Sequence, residues 1–117
     1  MSDRSIFRVR DIKQSILAIR SLLAGKTFDE MYNDAVIRAA FERFLEILSE
    51  ASRSVPETWK TELGPNIPWR QVGDLGNTLR HAYHRTDSRL LWSVYENDLG
   101  PLEQAIDRML AAHDIER

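Results

Sequence analysis

The 117-residue sequence contains no cysteine. That removes disulfide frameworks and thiolate metal sites, and it suits a reducing cytoplasm. No apolar run approaches the roughly 20 residues needed to cross a bilayer, and Met1-Ser2-Asp3-Arg4 lacks the pattern of a secretory signal. A cytoplasmic protein with no membrane partner is expected. Strong net charge is also missing. At −2 overall, no broad field announces a nucleic-acid partner, so any such site must be local. There is no strand-like alternation, internal repeat or low-complexity segment. No Gly-rich phosphate loop is present, because Gly73 and Gly76 fall inside a helical pattern. No serine sits in a nucleophile context.

What is present is helical spacing almost everywhere. The composition, 43% hydrophobic and 29% charged, is that of one globular domain spanning residues 1–117. Val9, Ile12, Ile16, Ile19 and Leu23 form one stripe, ended by Gly25. Thr27 with Glu30 resembles a capping box. Asp34 caps a longer helix whose expected core face is Ile37, Ala40, Phe41, Phe44, Ile47, Leu48 and Ala51. Its other face alternates charge through Arg38, Glu42, Arg43, Glu46, Glu50 and Arg53, a solvated pattern. Pro56, Gly64 and Pro65 punctuate a loose connection flanked by Trp59 and Trp69, with one helical turn near Glu57 to Thr61. Asp87 is expected to cap a helix containing Leu90, Leu91, Val94 and Tyr95. Gly100-Pro101 marks a break before a last helix carrying Leu102, Ile106, Met109 and Leu110. The expected fold is all-α: an antiparallel bundle of four main helices with short accessory helices.

The informative stretch runs from Ile67 to Arg85. Pro68 can open a helix, and Val72, Leu75, Leu79, Ala82 and Tyr83 follow at helical spacing. On an ideal wheel continued through Arg85, His81 lies opposite Val72, with Arg70, Asp74, Asn77, His84 and Arg85 on its side. The basic excess is local: Arg70, Arg80, Arg85 and Arg89 stand against Asp74 and Asp87. Two glycines inside a helix cost roughly 1 kcal/mol each against alanine, so Gly73 and Gly76 point to a close helix or ligand approach.

His81 is the central candidate. An imidazole, with an unperturbed pKa near 6.5, both takes and gives a proton at neutral pH. Metal-free RNA cleavage needs a base for the ribose 2′-OH, an acid for the leaving 5′-oxygen and a cation for the phosphate. Asn77, one turn earlier, can orient the ring or bind phosphate. Arg85, one turn later, can meet phosphate. Arg70, Arg80 and His84 are the accompanying RNA contacts. The bland alternative keeps all of these as solvated helix residues. His81 and His84 are spaced for a metal but lack a third ligand, so neither a metal site nor a cofactor is expected.

These segments resemble the HepT-like proteins of the HEPN superfamily. Asp34-Ala35-Val36-Ile37-Arg38 with Leu45 to Ala51 is similar to the family's second helix. Ile67-Pro68-Trp69-Arg70 followed by Asn77 to Tyr83 is similar to its signature helix, and Asp87 to Trp92 with Asp98-Leu99 and Leu102 to its closing helices. The resemblance implies a homodimer with signature helices facing each other. It also implies a metal-independent endoribonuclease toxin paired with a minimal nucleotidyltransferase antitoxin. It assigns His81 to the motif Arg-x4–6-His, Asn77 to the polar residue after the arginine, and Tyr83 to the tyrosine that the antitoxin adenylylates. The motif arginine is replaced by Gly76. Three readings of that glycine stand open. The chain is a weakened ribonuclease that still dimerises and binds its partner; or Arg85, better placed on the wheel than Arg80, supplies the cation; or Gly76 lets two helices approach closely in a dimer whose function is purely structural. The alternative function is a non-catalytic dimeric module that binds and regulates a nucleotidyltransferase. Nucleotide binding without cleavage is a further alternative.

Overall fold

The computed structural model describes residues 4–82 and 84–114. Helix α1 (Ser5–Leu23) buries Val9, Ile12, Ile16, Ile19 and Leu23 completely, the whole of the expected stripe. Gly25, at φ +73°, turns the chain out of the helix in the left-handed conformation that favours glycine. Thr27 then opens the short α2 (Phe28–Asn33). Its Oγ1 accepts the Glu30 N–H at 3.1 Å, while Glu30 Oε1 accepts the Thr27 N–H at 2.8 Å. The bond from the Thr27 backbone holds the Glu30 carboxyl below its ordinary value. Asp34 caps α3 (Ala35–Ser52) by accepting the N–H groups of Val36 and Ile37 at 3.0 and 3.1 Å.

The buried face of α3 differs from the expected one. Phe41, Leu48 and Ala51 are buried as anticipated, but Ile37, Ala40, Phe44 and Ile47 are only half-buried, and Leu45, Ser49 and Ser52 are covered instead. The reason is that α3 is sandwiched between α1 and α5. Its covered strip therefore runs along Phe41, Leu45, Leu48 and Ser52, between two neighbours.

After α4 (Glu57–Leu63), where buried Trp59 stacks on His113 with ring centroids 3.9 Å apart, comes α5 (Trp69–Arg80). Helix α6 (Arg85–Ser93), a π-helical turn (Val94–Asp98) and α7 (Leu99–His113) follow one another without a loop. The expected break at Gly100-Pro101 lies earlier, in that π-turn. Pro101 sits in the first turn of α7, directly after the π-helical turn where the hydrogen-bond ladder changes register. Counting α6 to α7 as one rod gives four main helices with α2 and α4 as accessories, and no strand occurs among the described residues. The all-α expectation is met.

Helix α1 lies between α3 and α7, and α3 carries α5 on its other side. Aromatic edges tie in α2 and α6: Trp92 meets Phe41 at 6.5 Å and Phe28 at 6.1 Å, both edge-on. Along the α1–α7 seam, Lys13 Nζ reaches Glu103 at 2.6 Å and Asp107 at 2.8 Å, Arg20 pairs with Glu103, and Arg10 pairs with Asp114. Glu103 and Asp114 are part-buried at the rim of this seam, whereas Asp107 and Arg20 stand more in solvent. The stability lies in the apolar seam beneath them. Among the described residues no helix is long and apolar enough to cross a membrane.

Ile16→Ala in the fully buried α1 stripe is expected to cost about 2–5 kcal/mol, whereas Val36→Ala, at a side chain 78% exposed, should stay within about 0.5 kcal/mol. Urea unfolding of the two variants checks the contrast.

Candidate functional site

The site is built on α5, and α5 is held by a carbonyl. Gly73 O, in the middle of the helix, accepts Ser49 Oγ at 3.0 Å, Arg53 Nε at 3.0 Å and Arg53 Nη2 at 2.7 Å. A Cβ on Gly73 would meet Arg53 Cγ at 3.4 Å and Ser52 Oγ at 3.9 Å, ordinary contact distances, so space alone does not require the glycine. What brings α3 and α5 together here is the set of bonds to the carbonyl. Arg53, read from charge alternation as part of a solvated face, is exposed as expected, and its guanidinium also bridges α3 to the α5 backbone. The signal for it was the pair Ser49 and Ser52, two small polar residues three apart on a helix otherwise buried in apolar neighbours.

At its start, α5 is seated by Trp69. The indole Nε1–H donates to Gly64 O at 2.8 Å, and a Cβ on Gly64 would fall 2.9 Å from Trp69 Cζ2. Only a glycine leaves room for the ring. Pro68 stands just before the first helical residue, one position from where the sequence put it.

The helix ends at Arg80, and this corrects the wheel drawn through Arg85. His81 has φ −119° and ψ 21°, and its N–H turns to Thr78 O at 3.2 Å rather than continuing the α-helical ladder. Asn77 O is thereby released from the His81 backbone and taken by the His81 ring, with Nδ1 at 3.0 Å. A carbonyl oxygen only accepts, so Nδ1 is the donor in this bond, and in the neutral ring the lone pair is then on Nε2, on an exposed side chain. No glycine or proline marks this break. A side chain makes it. A second correction follows: α6 is capped at His84, and Asp87 is the third helical residue, its Oδ2 accepting the His84 N–H at 3.1 Å.

Within α5, Arg70, Asp74 and Asn77 are exposed opposite the half-buried Val72, Leu75 and Leu79, as the periodicity implied. Arg70 stands three turns from His81, about 16 Å along the axis. His84 and Arg85 belong to the next helix and do not extend that stripe. The Arg85 guanidinium pairs with Asp29 and lies over the rings of Phe28 (5.0 Å) and Tyr32 (4.9 Å). Arg89 sits 4.0 Å above Phe28, and Arg38 5.0 Å from Tyr32. Arg80 points back along α5 instead, with its Nη2 donating to Asn77 Oδ1. Among the described residues Gly76 meets no other helix: the one neighbour there within 4 Å of an added Cβ is Arg80 Nη1, at 3.6 Å. Tyr83 lies outside the described residues. No cluster of three potential metal ligands occurs among the described residues.

An apolar groove of about 340 Å³ lies on the other flank of α5, between Ile67, Val72 and Leu75 and the α6–α7 residues Leu90, Val94 and Leu99. It does not include Asn77 or His81. The polar constellation is an open helix end, a shape that suits a polymer running past it more than a small molecule enclosed by it.

This helical bundle, with an Asn-x3-His sequence closing its fifth helix, defines a HepT-like protein of the HEPN superfamily, and the chain belongs to that family. The family model described as Ribonuclease HepT-like matches residues 12–109. A probable ribonuclease HepT of Thermococcus cleftensis is 32% identical over 101 residues, covering 86% of this chain and 91% of that protein. A protein of Methanocaldococcus jannaschii named as an RNase is 31% identical over 97 residues, covering 83% and 88%. Another RNase-named protein, from Caldanaerobacter subterraneus, is 28% identical over 86 residues, covering 74% and 76%. No solved structure matches the chain.

Arg53→Met keeps the aliphatic stem but removes both guanidinium bonds to Gly73 O, and is expected to cost about 1.5–3 kcal/mol, against about 1 kcal/mol for Ser49→Ala. Thermal melts rank the two, and hydrogen exchange should show α5 opening before α1 in Arg53→Met.

Proposed function

We propose that the protein is a metal-independent endoribonuclease that uses His81 as its acid–base group. The observation that carries this reading is the bond from His81 Nδ1–H to Asn77 O, which leaves Nε2 as a base on an exposed helix end. In the reaction, Nε2 takes the proton of a ribose 2′-OH and O2′ bonds to the adjacent phosphorus. The P–O5′ bond breaks, and the imidazolium returns a proton to the 5′-oxygen. The products are a 2′,3′-cyclic phosphate and a 5′-hydroxyl, with no net change in protons. Membership of the HepT-like family and the RNase names of its relatives support the substrate class. Asn77 serves by position, and Arg70 and His84 are proposed as outlying RNA contacts.

The same reading places the protein in the cytoplasm as the toxin of a toxin–antitoxin pair, a homodimer restrained by a minimal nucleotidyltransferase that modifies Tyr83. Support for the dimer is the packing of α5, which rests chiefly on α3 and leaves Val72 and Leu75 half-buried beside exposed Leu90. Sedimentation at micromolar concentration should give twice 13.6 kDa; a monomer alone contradicts this. Co-expression with the nucleotidyltransferase should add adenylyl mass to Tyr83, and an unmodified peptide beside an active partner contradicts that.

The chemistry is tested on total RNA in the presence of a chelator. Cleavage to cyclic-phosphate ends is expected from the natural chain and loss of at least 10²-fold from His81→Ala, the scale of an acid–base contribution. Cleavage that survives His81→Ala removes His81 from the mechanism.

A further inference from the structure

We infer that Arg80 provides the guanidinium that holds the scissile phosphate beside His81, lying in the space that a side chain at Gly76 would otherwise occupy. The inference rests on His81 as the acid–base group but goes beyond it, because it names the cation. Attack on a phosphodiester builds negative charge on its non-bridging oxygens, and without a metal that charge needs a cationic donor within reach of the same phosphate. The arginines near this helix end are not equivalent. Arg53 is taken up by Gly73 O. Arg85 is paired with Asp29 across two rings of α2, and Arg89 stacks on Phe28. Arg70 is three turns away. Only Arg80 shares the last turn of α5 with His81.

Its conformation is defined. A helical side chain leans toward the N-terminus of its helix, and here Arg80 runs back until Nη2 donates to Asn77 Oδ1 and Nη1 lies 3.6 Å from the point where a Gly76 Cβ would stand. Asn77 thus fixes both groups: its backbone carbonyl holds the imidazole and its side-chain oxygen holds the guanidinium. A guanidinium has five N–H donors in a planar fork, so one bond to Asn77 leaves the paired donors that suit a phosphate. Arg80 is exposed and makes no ion pair among the described residues. Gly76 has a positive role in this arrangement, since it keeps the seat of the guanidinium clear. A methyl group would make ordinary contact there, whereas a longer side chain would compete for the seat.

The test compares the natural chain with Arg80→Ala, Arg80→Lys, Gly76→Leu, His81→Ala and the double variant Arg80→Ala with Gly76→Arg. Each is assayed for metal-free cleavage and for binding of 2′-O-methyl RNA, which cannot be cleaved. Arg80→Ala should lower the cleavage rate by about 10²- to 10³-fold and weaken binding several-fold. Arg80→Lys should recover only part of the loss, because an ammonium is a point charge without the planar fork. Gly76→Leu should act like Arg80→Ala although the arginine is still present. Gly76→Arg should restore at least tenfold of the cleavage lost in Arg80→Ala by returning a guanidinium to the same seat. Normal cleavage by Arg80→Ala overturns the role of Arg80 while leaving His81 in place; cleavage that survives His81→Ala defeats the acid–base reading instead. Should the natural chain cleave nothing, equal binding of 2′-O-methyl RNA by it and by Arg80→Ala, or binding by neither, also overturns the proposal.

Discussion

The position of α5 depends on one carbonyl. Gly73 O receives three donors from α3, and no comparable polar contact joins α5 to any other main helix among the described residues. Arg53 and Ser49 bond the backbone of α5 directly. Sliding α5 by one residue would put a different carbonyl before Arg53. The register of α5 on α3 is therefore specified by hydrogen bonds as well as by apolar fit. Eight residues beyond Gly73, His81 stops the helix.

The end of α5 then does several things with few atoms. Releasing the His81 N–H from the α-helical ladder frees the Asn77 carbonyl, and the imidazole takes it. The ring's tautomer, its orientation and the helix terminus are set together. Helix C-termini carry partial negative charge, so the cations His81 forms on protonation and Arg80 bears at all times are both placed where the helix dipole favours them. The cationic groups beyond the break serve another purpose. Arg85 and Arg89 cover the aromatic faces of α2 and secure α6 against it. His81 and Asn77, one turn apart in the sequence, are the two residues joined at the helix end.

Elements whose burial follows one narrow stripe, or whose ends follow a local capping rule, were legible in the sequence. The α1 stripe, the Thr27–Glu30 box and the Asp34 cap all appear where their local rules put them. The line of α3 was displaced because α1, α2 and α5 all pack against it, a fact of tertiary arrangement that spacing alone does not hold. Arg53 is exposed, as its charge suggested, but its bonds to a carbonyl twenty residues later were not legible, because they depend on how α5 lies on α3. The break at His81 was invisible because it uses neither glycine nor proline. A wheel extended through it brought Arg85 beside His81 on paper, whereas the chain gives Arg85 to Asp29 and leaves Arg80 on the turn of the histidine.

The central claim is that Asn77 O fixes the His81 ring with its proton on Nδ1 and Nε2 as the base. Nitrogen-15 NMR of the ring in its neutral form measures this directly, since protonated and lone-pair nitrogens have distinct shifts. The account predicts a protonated Nδ1 and an unprotonated Nε2 for His81 in the natural chain. A ring protonated at Nε2, or an even mixture of the two tautomers, would contradict it.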